Sequence, residues 1–202
     1  MKYSICVSGA AAGKSVEQSS HLAAKVGKTI AESGHILTTG ATVGLPFFAA
    51  KAATEAGGMS IGFSPASSLR EHAFKYRLPI GVFDYINYTG LDYVGRDVYL
   101  VQSSDAVITV GGRFGSLHEF TTALEDGKIC GVLLGSGGAA DVIPEIMEKL
   151  KAPNKNLVIF DDDPVTLVKR ILEMLDKQFG DIDASELANQ WFLNGHSQKR
   201  SG

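Results

Sequence analysis

Val107-Ile-Thr-Val-Gly-Gly-Arg-Phe-Gly-Ser-Leu-His-Glu119 is the stretch on which the fold turns. Its first half is short, apolar and β-branched, bounded by Asp105 and by glycines. That is the pattern of a strand buried on both faces of a parallel sheet. Gly111, Gly112 and Gly115 then permit tight turning and close approach of backbone to a ligand. Ser116-Leu-His-Glu119 reads as a helix start, with a hydroxyl at the N-cap and a glutamate three residues on. Strand, glycine turn and helix N-terminus together aim free N–H groups and the positive end of a dipole at an anion. A phosphate-bearing ligand suits that turn. Glu119 also has a plainer role open to it, reaching back to the N-cap amide in a capping box.

Similar units lie on both sides. Tyr3-Ser-Ile-Cys-Val7 predicts a strand, and Ser8-Gly-Ala-Ala-Ala-Gly-Lys-Ser15 turns into a helix ending near Ser33. This turn is not a P-loop: counting back from Gly13-Lys14-Ser15, the first glycine of that motif belongs at position 8, which is Ser8. His35 to Thr39 predicts a second strand, followed by the glycine turn Gly40-Ala-Thr-Val-Gly44 and an alanine-rich helix with Pro46 in its first turn. Further strands are expected at Met59 to Phe63, Ile129 to Leu134 and Leu157 to Phe160, with an extra one near Val82 to Ile86. Alternating short strands and helices give an α/β fold, three layers with a doubly wound, mostly parallel sheet. The glycine turns fall at strand C-terminal ends, where such sheets bind ligands. Residues 1–180 form one domain; 181–202 form a polar, partly disordered tail that carries Trp191-Phe192-Leu193.

Two segments admit more than one reading. Ser64 to Pro79 is polar and holds Arg70, His72, Lys75 and Arg77; it is either a solvated connection or a segment overhanging the cleft. In the helix expected from Gly90 to about Ser103, Val94, Val98 and Val101 form an i, i+4, i+7 stripe and Arg96 points away from it. Arg96 is then a solvated partner of Asp92, or is offered to a ligand or a second subunit.

The chain has 202 residues, 45% hydrophobic and 20% charged, enough for one full core. A net charge of −3 lacks the electrostatic footprint of a nucleic-acid binder. Cys6 and Cys130 have no metal-ligand spacing and are expected to be reduced, buried thiols; no metal or other cofactor is expected. No signal-peptide pattern opens the chain and no apolar run approaches membrane-spanning length, so a soluble, cytoplasmic protein without membrane contact is expected.

Taken together, these residues resemble the LOG (Lonely Guy) family of Rossmann-like nucleotide-binding proteins, over about residues 3 to 175. The family's loop reads Pro-Gly-Gly-x-Gly-Thr-x-x-Glu and follows an Arg-Lys pair upstream of Ser-Asp-Ala. Here Arg96 precedes Ser104-Asp105-Ala106, and Gly111-Gly112 with Gly115-Ser116-Leu-His-Glu119 matches the loop. Gly40 to Gly44 is similar to the family's earlier glycine turn and Ser8-Gly9 to its first. Val110 replaces the proline, the loop is one residue longer, and Asp97 stands where the family has lysine. The resemblance implies hydrolysis of the N-glycosidic bond of a nucleoside 5′-monophosphate to base and ribose 5-phosphate. Arg96 and Glu119 would carry the chemistry, and Ser8, Gly9, Gly40, Gly44, Gly111, Gly112, Arg113, Gly115 and Ser116 would hold the ligand. A homodimer or larger homo-oligomer is expected. An ionised Glu119 at a helix N-terminus would stabilise positive charge on the ribose. Asp97 and the longer loop bring the chain nearer to branches that include molybdenum cofactor carriers, which implies an alternative: non-catalytic carriage or sensing of a nucleotide-like ligand. A Rossmann oxidoreductase fits poorly: the first turn lacks Gly-x-Gly-x-x-Gly, and Thr38-Thr39-Gly40 offers no acidic residue to a ribose hydroxyl.

Overall fold

The computed structural model describes residues 1–152 and 154–182. Seven strands form one sheet: β1 (Ser4–Gly9), β2 (Ile36–Thr39), β3 (Met59–Ser64), β4 (Tyr85–Tyr88), β5 (Ala106–Val110), β6 (Ile129–Leu133) and β7 (Val158–Asp161). Their order is β4-β3-β2-β1-β5-β6-β7 and every pairing is parallel. The helices between them are α1 (Lys14–Glu32), α2 (Leu45–Glu55), α3 (Asp92–Gln102), α4 (Phe114–Glu125), α5 (Gly138–Lys149) and α6 (Pro164–Phe179). The expected three-layer doubly wound α/β fold is the one observed. The extra strand lies three residues later than expected and forms one edge, beside β3. Of the tail, only Asp181 and Ile182 are described; Trp191-Phe192-Leu193 lies outside the described residues.

All five residues of β5 are buried, as the apolar run from Val107 requires. Alternation along the strand splits its side chains between two cores. Ala106, Ile108 and Val110 join Ile5 and Val7 under α1, α2 and α6. Val107 joins Cys6, Cys130 and Val132 under α3, α4 and α5. Cys6 and Cys130 each pair in register with Val107, from opposite sides. Two strand spacings, roughly 9–10 Å, separate the thiols, too far for a disulfide. Both are free and buried, as the sequence leads one to expect. Burial pushes the Cys130 thiol up to about 12 and raises Cys6 well above its ordinary value, so neither supplies a thiolate.

The chain winds outward from β1 through β2 and β3 to β4, then crosses back through α3 to place β5 against the other side of β1. The connections leaving β1 and β5 therefore run in opposite directions, and a crevice opens where these two strands end. At that end Ser8 pairs with Thr109 and Gly9 with Val110.

Candidate functional site

A cleft of about 240 Å³ occupies this crevice. Ser8 and Gly9 line it from β1, and Gly40, Thr42 and Pro46 from the β2–α2 turn. Tyr93, Arg96 and Asp97 come from α3; Arg113, Gly115, Ser116 and Glu119 come from the start of α4. Eight residues singled out in the sequence thus share one cavity: Ser8, Gly9, Gly40, Arg96, Arg113, Gly115, Ser116 and Glu119. Gly44, Gly111 and Gly112 do not line it. The Gly111 N–H donates to Ser136 Oγ at 2.7 Å, and the carbonyls of Gly111 and Gly112 each accept an α5 N–H at 3.0 Å. Gly44 sits at φ 79°, where a Cβ would stand 2.2 Å from the Ala10 carbonyl oxygen. These three glycines pack the turns together.

Helix α4 starts one turn earlier than the serine suggests. Arg113 is its N-cap, with no side-chain cap, and Phe114 is its first residue. The expected capping box does not form. Ser116 and Glu119 instead fall on the buried stripe with Phe120, Ala123 and Leu124, an i, i+3, i+4, i+7, i+8 spacing. As the first three helical residues, Phe114, Gly115 and Ser116 have amides with no intrahelical acceptor. Gly115 and Ser116 line the cleft, and exposed Arg113 flanks them. This is the turn where the sequence anticipates an anion cradle.

Glu119 is buried, and its Oε2 accepts a short hydrogen bond from Ser8 Oγ. Desolvation is the main influence on its carboxyl; the Arg96 charge and the Ser8 hydroxyl favour ionisation, and Asp97 opposes it. The outcome is a pKa pushed up to about 7. The expectation of a carboxylate kept ionised by the helix dipole is corrected: burial outweighs the dipole.

Arg96 is likewise not solvated. It is 4% exposed, while Val94, the intended anchor of the apolar stripe, is 70% exposed. The buried face of α3 is Arg96, Asp97, Leu100 and Val101, so the helix is rotated from the expected setting. Asp92, its expected partner, instead accepts a hydrogen bond from Tyr76 Oη. Arg96 donates from one terminal nitrogen to the Phe63 carbonyl at 3.1 Å. Its Nε lies 3.1 Å from Asp97 Oδ1, close enough for charge pairing but off line, so that N–H has no hydrogen-bond acceptor among the described residues. Gly40 makes room for this side chain: a Cβ there would fall 1.7 Å from the guanidinium. Asp97 also accepts from His118 Nδ1 at 3.1 Å. A chain of polar contacts thus runs from half-exposed His118 through buried Asp97 to buried Arg96, beside Glu119.

None of the four basic residues of the 64–79 segment lines the cleft. His72 is buried, with Nδ1 2.8 Å from Ser64 Oγ and Nε2 2.9 Å from the Pro79 carbonyl. A carbonyl only accepts, so Nε2 carries the hydrogen and Ser64 donates to Nδ1. Lys75 pairs with Glu71 and Arg70 lies over the Phe74 ring. Tyr93, Thr42 and Pro46 line the cleft without having been singled out, and Asp97 had stood only as a lost lysine. Polar residues at helical spacing with Leu100 and Phe120 were the available signal.

Beside the cleft, Phe114, Leu117, Val142 and Ile146 of α4 and α5 line an apolar groove, with Phe114 89% exposed. No described helix is long and apolar enough to cross a membrane, and no cluster of three metal-ligating side chains occurs among the described residues.

Comparison with known proteins agrees with this architecture. An uncharacterised protein of Archaeoglobus fulgidus is 35% identical over 117 residues, 58% of this chain and 72% of that protein. The X-ray structure of TM1055 superposes with a TM-score of 0.74 at 26% identity, covering 86% of this chain and 99% of the other. The molybdenum cofactor carrier protein of Chlamydomonas reinhardtii superposes with a TM-score of 0.69 at 29% identity, covering 87% and 99%. Residues 2–168 match the model of the SLOG cluster4 family, and the chain belongs to that family, with its LOG-like, Rossmann-type nucleotide-binding fold.

Proposed function

We propose that the cleft binds and retains a phosphate-bearing, nucleotide-like ligand, with its phosphate on the first turn of α4. One observation carries this reading: Gly115 and Ser116, whose amides have no intrahelical partner, line the cleft next to Arg113. Retention without turnover is supported by the neutralised interior. Asp97 offsets the charge of the buried Arg96. The likeness to a carrier of molybdenum cofactor supports the carrier reading. Thermal-shift titration with nucleoside 5′-monophosphates and with the same nucleosides lacking phosphate tests it. Shifts for the phosphorylated set alone are expected; equal shifts for both remove the phosphate site.

Hydrolysis of the N-glycosidic bond is the second reading. Glu119 supports it: a carboxyl with a pKa near 7, in a cleft beside an arginine, is poised for proton transfer or for stabilising charge on the ribose. Release of ribose 5-phosphate from a panel of nucleoside monophosphates decides between them. If Glu119 acts ionised, kcat rises with pH through about 7 and Glu119→Gln lowers it by roughly two to four powers of ten. No release from ligands that bind tightly leaves the carrier.

We also propose self-association through the α4–α5 groove. Buried Arg96 is not available to a partner, so exposed Phe114 and its apolar neighbours take over that part of the expectation. Light scattering at micromolar concentration is expected to give at least a dimer, and Phe114→Glu a monomer. Monomer mass for the unaltered chain refutes it.

A further inference from the structure

Building on the phosphate reading, we infer that Tyr93 and Arg96 form a platform on which a planar heteroaromatic ring of the ligand stacks. The cleft would then select phosphorylated heterocycles over bare sugar phosphates. The two residues stand three apart on α3, both lining the cleft, with the guanidinium carbon 5.9 Å from the tyrosine ring centroid. Tyr93 is 46% exposed in a cleft whose other lining is mostly small or polar. Among the described residues that line the cleft, Tyr93 is the one aromatic side chain.

The ring is also held in advance. Tyr76 meets it edge to face, centroids 5.7 Å apart at 81°, and Tyr76 itself is tied by its hydroxyl to Asp92. Asp92 opens α3 in the left-handed region, at φ 54°, which fixes the chain one residue before Tyr93. A braced ring loses little rotamer freedom when a ligand arrives, so more of the stacking contact appears as affinity. Arg96 adds its guanidinium plane to the ring face, a group that stacks on π systems.

Calorimetric titration of adenosine and guanosine 5′-monophosphates and of ribose 5-phosphate tests this, with the unaltered chain beside Tyr93→Ala, Tyr93→Phe and Tyr93→Trp. The unaltered chain should bind the nucleotides roughly ten- to a hundredfold more tightly than ribose 5-phosphate, the range that stacking one base supplies. Tyr93→Ala should remove most of that difference and leave ribose 5-phosphate within about twofold. Tyr93→Phe and Tyr93→Trp should keep it, since both retain an aromatic face. Melting curves establish that each variant is folded. Equal affinity of the unaltered chain for nucleotides and ribose 5-phosphate overturns the platform while the phosphate site stands, as does an equal loss for both classes in Tyr93→Ala. Failure of the phosphate site itself is distinct: ribose 5-phosphate and nucleotides alike fail to bind, or nucleosides bind as tightly as nucleotides, and the platform falls with it.

Discussion

The turn after β2 and the turn after β5 look alike in sequence, each a glycine-rich link from a buried strand to a helix. They do different work. After β2, the Leu45 N–H donates to the Ala10 carbonyl at 2.9 Å, Pro46 has no N–H to offer, and Gly44 packs against Ala10 and Ala11. That helix start is largely committed inside the protein. After β5 the glycines are committed too, to Ser136 and to α5, but the chain then reaches Arg113 and begins a helix whose early residues Gly115 and Ser116 line the cleft. A glycine turn is therefore no site in itself. What decides is whether the N–H groups that follow it are already bonded.

The contrast is best attacked from the committed side first. Gly44→Ala should cost on the order of 3 kcal/mol in urea unfolding, from the clash with the Ala10 carbonyl and the left-handed backbone. A loss under about 0.5 kcal/mol would mean that this turn is as open as the other. Glu119 gives a nearly equal effect that depends on pH. Its folded pKa, about 7, lies above the ordinary 4.5, so its stability contribution is complete below about pH 4.5 and lost as pH rises through 7. Unfolding free energies of wild type and Glu119→Gln should therefore diverge by on the order of 3 kcal/mol across that window, wild type losing ground. Parallel profiles would show that Glu119 is ionised throughout.

On the open side the effects move from stability to affinity. Arg113→Ala should weaken binding of nucleoside monophosphates about tenfold, with unfolding unchanged, because the side chain is exposed. An unchanged Kd removes Arg113 from the phosphate cradle. Gly115→Ala is the smallest change. A Cβ there meets no atom within 4 Å, so the helix should gain up to about 0.5–1 kcal/mol. Calorimetry on the same variant shows whether the phosphate approaches that amide: affinity falls if it does and holds if the ligand sits elsewhere.

The strands and the turns could be read from the chain because Val107 to Val110 and its counterparts are apolar, β-branched and bounded by glycine. The setting of the two helices at the site could not. Val94 and Phe114 are apolar yet 70% and 89% exposed, while Arg96, Asp97, Ser116 and Glu119 are polar and buried. Reading apolar as inward turns α3 the wrong way, and reading Ser116 as a cap starts α4 too late. The inversion is what a site in a doubly wound sheet produces, since its polar groups must point where the core would otherwise be. On α4 the buried spacing of Ser116, Glu119, Phe120, Ala123 and Leu124 would have recovered the setting.

The two thiols on either side of Val107 make the sheet its own clock. Cys6 and Cys130 are the chain's only cysteines, lie one strand to each side of β5 and are held as neutral thiols by burial. A thiol reagent can reach either one only when the centre of the sheet parts, so labelling rates in the native buffer measure how often it does. Because β5 separates them, opening β5 exposes both at once. Two equal rates mean that the sheet opens as a single unit, and a ligand held across the ends of β1 and β5 should slow both by the same factor.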